Sequence, residues 1–116
     1  MSNTAPVRAV LMAAEVKDAG HGFNRLVFKV DVGRSDMLTT TVLISQDAYR
    51  KLIAQLQRAR IRHADRISVL KAWSRWEITM RLDQFGTLAS TVTITAGDLD
   101  DSGAYAMDLA RSLAPN

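Results

Sequence analysis

The sequence predicts an α+β domain, a two-layer sandwich in which two helices pack on one face of an antiparallel sheet of five to six strands. Several segments alternate apolar and polar residues with the period of a half-buried strand, and two others carry the apolar stripe of a one-sided helix. An eight-residue motif also recurs at an offset of fifty residues, since residues 38–45 and 88–95 share Leu, Thr, Val and Ile at matching positions and have chemically similar residues at two others. The predicted order is β-β-β-α-β-β-α.

The first half of the chain is predicted to contain three strands and a helix. A strand over residues 7–17 leads through a glycine-containing loop into a second strand over residues 23–32. A third strand covers residues 38–44. Ser45 is suited to cap the helix that follows over about residues 46–60, where apolar residues recur at three- and four-residue spacing.

The second half begins with an ambiguous segment, residues 61–74, which either prolongs the helix or forms a loop followed by a strand. Over residues 75–82 every second residue is apolar, which predicts another strand. A turn leads to a strand over residues 88–95. The second helix follows the acidic segment 97–103.

The length of 116 residues indicates a single domain, residues 1–116. The recurring motif favours pseudo-twofold symmetry, with strand–strand–helix halves over about residues 23–62 and 73–114. Apolar residues that agree in phase along these elements form the predicted core: Leu26, Phe28, Val30, Val42, Ile44, Leu52, Ile53, Leu56, Trp76, Ile78, Met80, Val92, Ile94, Leu109 and Leu113.

The composition argues against several kinds of chemistry. The chain has no cysteine, which excludes disulfides, thiolate metal sites and cysteine nucleophiles. His21 and His63 have no acidic or histidine neighbour at a recognised ligand spacing. We therefore expect no metal, no cofactor, no catalytic residue and no enzyme activity. The N-terminal apolar stretch, residues 9–14, is too short for a signal sequence or a membrane span, so a cytoplasmic location is expected.

The acidic segment resembles the start of a calcium-binding loop, with aspartates at the first and third positions. Leu109 stands where such a loop needs its bidentate glutamate, so calcium binding is not expected. Asp100 and Asp101 are interpreted as residues that cap the second helix.

Charge is distributed unevenly along the chain. Residues 50–81 contain nine basic and two acidic residues, whereas residues 82–116 contain one basic and five acidic residues. The basic segment is interpreted as a solvated helix end, a phosphate-contacting patch or a docking patch for an acidic protein surface. The candidate partner-binding residues are Arg58, Arg60, Arg62, Arg66, Arg75 and Arg81.

These observations favour a small protein-binding module, such as an inhibitor, an immunity-type neutraliser of a toxin or an assembly subunit. It would act through the open face of the sheet or the basic segment. The alternatives are a nucleic-acid-binding protein that contacts phosphates through the Arg58–Arg81 region, and a small enzyme or ligand carrier with a pocket between sheet and helices. The first predicted strand is apolar on both faces, a poor composition for an edge in water, so a homodimer or a strand from another protein is expected to cover it.

Overall fold

The computed structural model describes residues 8–17, 20–32 and 37–113. Its elements, in chain order, are β1 (Arg8–Glu15), β2 (Phe23–Asp31), β3 (Met37–Ser45), α1 (Gln46–Arg58), α2 (Arg66–Phe85), β4 (Thr91–Ile94) and α3 (Ala104–Leu113), with one 3-10 turn at Ala96–Asp98. The α+β class is therefore confirmed. The predicted element order is wrong, because the described residues contain four strands and three helices.

The four strands form one mixed sheet in the order β1-β2-β3-β4. The β1–β2 and β2–β3 pairs are antiparallel, as their short connections require, whereas β4 lies parallel to β3. The prediction of a purely antiparallel sheet is therefore wrong. The chain between β3 and β4 contains two helices, and a crossover of this length returns the chain to the end of the sheet where β3 began.

The recurring motif occupies two neighbouring strands. Val42 pairs with Val92 and Ile44 pairs with Ile94, so the offset of fifty in sequence is also the register of the parallel pair. Both strands end at a helix cap: the Ser45 hydroxyl accepts from the Ala48 backbone, and the Asp98 carboxylate accepts from the backbone nitrogen of the residue after β4. The match therefore describes two strand-to-helix turns. It does not extend to the predicted strand–strand–helix halves, because the second half begins with a helix.

Helix α2 replaces the strand predicted over residues 75–82. Its buried residues recur with helical spacing, but Ser74 and Glu77 are two of them, and these polar side chains hide the stripe in the sequence. The Asp65 carboxylate accepts from the Ser68 backbone and begins the helix. Gly86, with a φ of 72°, ends it in the left-handed conformation that glycine adopts without strain.

The core lies between the helices and one face of the sheet. Along β2 the even-numbered residues from Asn24 to Val30 are buried, and their odd-numbered neighbours are exposed or half-buried. Eleven of the predicted core residues are buried, whereas Ile53 and Trp76 are half-buried, Met80 is 41% exposed, and the Leu113 side chain lies outside the described part. Met80 was wrongly assigned to the core because residues 75–82 were interpreted as a strand. Buried apolar residues that were missing from that set are Ala48, Tyr49, Val69, Leu70, Trp73, Leu99 and Ala106.

Candidate protein-interaction surface

Three of the candidate arginines lie at the connection between α1 and α2, and all three are exposed: Arg58, Arg60 and Arg62. The backbone nitrogen of Arg60 donates to Gln57 and that of Ile61 donates to Leu56, so the last carbonyls of α1 are satisfied within the chain. The side chains of the three arginines therefore project from a closed helix end, as the helix-end interpretation expects.

The other three candidate arginines make contacts within the fold. Arg66 donates to the Lys17 carbonyl at 2.6 Å, and its guanidinium lies 4.4 Å from the centre of the Tyr49 ring. Arg75 donates from Nε to the Ala9 carbonyl of β1 at 3.0 Å. Arg81 donates from Nε to the Glu77 carboxylate at 3.0 Å.

The six arginines do not form one compact patch. Arg66 and Arg81 are fifteen residues apart on α2, which separates them by roughly 22 Å along the helix axis. Arg75 faces β1, whereas Arg81 contacts Glu77, which is bonded to α3. Of the six candidate arginines, the three at the connection between α1 and α2 are thus the ones that are exposed and whose side chains make no hydrogen bond to a distant element among the described residues.

A buried cluster links Arg81 to α3 through Glu77 and two aromatic residues. Trp73 Nε1 donates to the Tyr105 hydroxyl at 2.8 Å, and that hydroxyl donates to Glu77 Oε2 at 2.5 Å. Burial, followed by the hydrogen bond to Glu77, raises the pKa of Tyr105 far above its ordinary value. Because each polar atom of the cluster has a partner, we interpret it as a structural link between α2 and α3.

Strand β1 exposes apolar side chains at the edge of the sheet. Val10 is 53% exposed and Met12 is 57% exposed, and Ala13 and Ala14 are also exposed. β1 pairs only with β2 among the described strands. The strand pairing has a bulge at Met12, which lies between the pairs Leu11–Phe28 and Ala13–Val27. The sequence indicated that this strand is apolar on both faces, but it gave no sign of the bulge.

The side of the sheet that faces away from the helices is called here the open face. Register and burial place Arg25, Val27 and Lys29 of β2 on it, beside Leu43, Thr41 and Thr39 of β3. From β1 it receives Arg8, opposite Asp31, and Glu15, opposite Arg25. At its ends Phe23 is 39% exposed and Met37 is 49% exposed. The open face is therefore polar with apolar margins, and it continues into the β1 edge.

A surface depression of about 550 Å³ lies between β1 and α2 and is lined by Arg8, Ala9, Val10, Arg75 and Thr79. A second depression, of about 340 Å³, shares Arg75 and Thr79 and reaches Trp76 and α3. The first adjoins the β1 edge, whereas the second is lined by residues of α2 and α3 alone. A partner that covered β1 would therefore meet concave surface beside it, with two arginines at its rim.

The acidic segment serves local structure, and neither histidine is buried. The Asp100 carboxylate accepts from the Ser102 hydroxyl and from the Tyr105 backbone, and these bonds lower its pKa. Asp100 thus caps α3 as predicted, whereas Asp101 lies 3.1 Å from Lys51 Nζ. His21 and His63 are both exposed.

Among the described residues, no three His, Asp or Glu side chains could hold a metal ion together. Within the same part of the chain, no helix combines the length and the apolar character needed to cross a membrane. Comparison with protein-family models, curated proteins and solved structures finds no match to this chain. Its own residues therefore carry the functional interpretation.

Proposed function

We propose that the chain is a non-enzymatic protein-binding module that contacts its partner through the β1 edge and the adjoining open face. The observation that carries this proposal is the exposure of Val10 and Met12, two large apolar side chains on a strand with one described neighbour. The role would be that of an inhibitor, an immunity-type neutraliser or an assembly subunit in the cytoplasm.

The physical basis of the proposal is the chemistry of a strand edge. An edge strand carries backbone donors and acceptors that another extended segment can pair with, and apolar side chains beside them add buried area. Charged side chains protect many natural edges, but in β1 they stand only at the two ends, Arg8 and Glu15, and the bulge at Met12 is the other protective feature of the strand. A protein partner that supplies a strand would form hydrogen bonds with the outward backbone groups of β1 and would bury Met12 at the same time.

A second candidate function is phosphate binding by the α1–α2 connection. The exposure of Arg58, Arg60 and Arg62 favours it, because exposed arginines close together can neutralise neighbouring phosphates. It ranks second because Arg66, Arg75 and Arg81 are engaged within the fold, which reduces the basic surface available to a nucleic acid.

The proposal predicts that Met12→Lys weakens partner binding at least about tenfold, because a charge replaces an apolar contact at the centre of the edge. The full chain is used to capture its partner from the native host. The captured protein is then identified and purified, and its Kd for wild type and variant is measured by calorimetry.

Met107→Lys is the matched control, since Met107 is 40% exposed on α3, away from the sheet. It should leave the Kd within about twofold of wild type, and thermal melting should show both variants folded. Equal binding by wild type and Met12→Lys would exclude the β1 edge as the contact surface.

A further inference from the structure

We infer that the partner of β1 is a second copy of the same chain, an inference that rests on the proposed role of the β1 edge. The two β1 strands pair antiparallel about a twofold axis, which joins two four-stranded sheets into one continuous sheet of eight strands. Three observations lead to this pairing: the charges at the ends of β1, the position of the bulge, and the apolar residues between them.

The charges of β1 are self-complementary. The strand begins with Arg8 and ends with Glu15, and the six residues between them are uncharged. If the twofold axis passes between Leu11 and Met12, Arg8 of each copy lies opposite Glu15 of the other. Opposite charges directly across an antiparallel pair are stabilising, and the symmetry produces this contact twice.

Neighbouring strands extend the same charge pattern. Within one chain Arg8 lies opposite Asp31, and Glu15 lies opposite Arg25. In the paired sheet, a row across four strands would therefore read Asp31, Arg8, then Glu15 and Arg25 of the second copy. Signs alternate along the whole row, so no like charges are adjacent.

The bulge at Met12 makes this register sterically consistent. Arg8 and Glu15 are seven residues apart, and in a regular strand residues seven apart point to opposite faces. The bulge inserts one extra residue, so both side chains lie on the open face, opposite Asp31 and Arg25. Residues paired across two strands must share a face, and this register meets that condition at each pair outside the bulge: Arg8–Glu15, Ala9–Ala14 and Val10–Ala13.

Other registers are less favourable. A shift by one residue would pair open-face residues with residues on the helix side over most of the strand. A shift by two residues in one direction keeps the faces matched but places Arg8 opposite Lys17 of the second copy, which are like charges. The register centred between Leu11 and Met12 also covers all eight residues of the strand.

The pairing removes apolar surface from water at the middle of the edge. Val10 and Met12 are each more than half exposed in the single chain, and both lie within two residues of the proposed axis. An interface built mainly on one strand is small, and the Ala9 carbonyl already accepts from Arg75. We therefore expect a reversible dimer whose population rises with protein concentration.

A charge-exchange experiment tests the register. Sedimentation equilibrium over a concentration series is run on wild type, Arg8→Glu, Glu15→Arg, the double variant and an equimolar mixture of the single variants. Wild type should dimerise, and each single variant should dimerise at least about tenfold more weakly, because like charges meet at both ends. The double variant should dimerise more strongly than either single variant, because opposite charges again meet across the axis, but more weakly than wild type, because like charges then lie opposite Asp31 and Arg25 within each chain. The mixture should form a heterodimer, because the two single variants then supply opposite charges.

Lys29→Glu is the matched control: it changes net charge as Arg8→Glu does, on the same face but one strand inside the edge. It should dimerise like wild type, and thermal melting should show each variant folded. A monomeric wild type at millimolar concentration, or single variants that do not associate when mixed, would overturn the inference. If the wild type is a monomer and Met12→Lys abolishes binding of a different protein, the inference of a second copy is refuted and the proposed function is retained.

Discussion

Arg60 lies two residues beyond the last residue of α1 and has a φ of 57°, in the left-handed region of backbone space. Its backbone closes the helix by the pattern usually found at glycine, with donors of Arg60 and Ile61 bonded to Gln57 and Leu56. A side chain in this conformation costs about 1–2 kcal/mol. The sequence predicted the end of this helix near residue 60. It did not predict the left-handed conformation of Arg60, because nothing distinguishes this arginine from the others in the basic run.

Arg60→Gly should increase the free energy of unfolding by about 1 kcal/mol, because glycine adopts this conformation without the penalty. Urea denaturation followed by circular dichroism measures the change. Arg62→Gly makes the same chemical change two residues away, and it should not stabilise the protein. A destabilised Arg60→Gly protein would indicate that the arginine side chain contributes a contact that outweighs the strain.

Tyr105→Phe should lower the free energy of unfolding by about 1–3 kcal/mol, since Trp73 Nε1 loses its acceptor and Glu77 loses one donor in a buried setting. Tyr49→Phe, which keeps the ring beneath Arg66, is the control and should cost less than about 0.5 kcal/mol. Equal costs would argue against the cluster as a specific link between α2 and α3.

Tyr105 also makes the free energy of unfolding depend on pH in the alkaline range. Its raised pKa means that the unfolded chain ionises first, near pH ~10, so its contribution is complete below that pH and is lost as pH rises through the folded pKa. Wild type should therefore lose stability more steeply above pH ~10 than Tyr105→Phe does. If the free energies of unfolding of the two proteins fall with pH in parallel, the ionisation of Tyr105 does not contribute to the pH dependence.

At the scale of elements, the sequence predicts best where one period dominates. β2, β3 and α1 have clean apolar patterns, and the predicted bounds lie within about two residues of those observed. In α2 two patterns overlap, because alternate apolar residues imitate a strand while Ser74 and Glu77 interrupt the helical stripe. The β1 edge was recognisable from its apolar composition. Its bulge and the contacts of Arg66, Arg75 and Arg81 depend on packing between distant segments.

Ile78 and Met80 distinguish the helix from the predicted strand. A strand would place both side chains on the same buried face, whereas in α2 Ile78 is buried and Met80 is 41% exposed. Ile78→Ala should cost about 2–5 kcal/mol, and Met80→Ala should cost less than about 1 kcal/mol. Urea denaturation of both variants measures the difference, and similar large costs would contradict the helix.

At the scale of the whole molecule, the basic and acidic segments meet within one chain. Lys51 of α1 donates to the carbonyls of Ala96 and Leu99, and its ammonium lies 3.1 Å from the Asp101 carboxylate. Asp101 is fully exposed, so the ion pair itself contributes little. The charge asymmetry of the sequence is thus partly an internal match between α1 and the segment before α3, which reduces the charge available to an external partner.

We therefore expect weak binding to DNA or RNA near physiological ionic strength, no stronger than for an unrelated protein of similar charge. Fluorescence anisotropy with a labelled duplex at several salt concentrations measures this. Each phosphate neutralised would contribute a slope of about 0.9 in log affinity against log salt. A submicromolar, salt-sensitive Kd that is lost on reversing Arg58, Arg60 and Arg62 would instead favour the second candidate function.

The parallel pair of β3 and β4 has a consequence for the order of folding. Its partners are fifty residues apart, whereas the β1–β2–β3 hairpins join residues close in sequence. Bringing distant residues together costs chain entropy before any contact compensates for it. The three-stranded meander is therefore expected to assemble early, with β4 docking after α1 and α2 have shortened the intervening chain. Until then β3 is a second open edge, and a newly made chain can pair wrongly through either side of the meander.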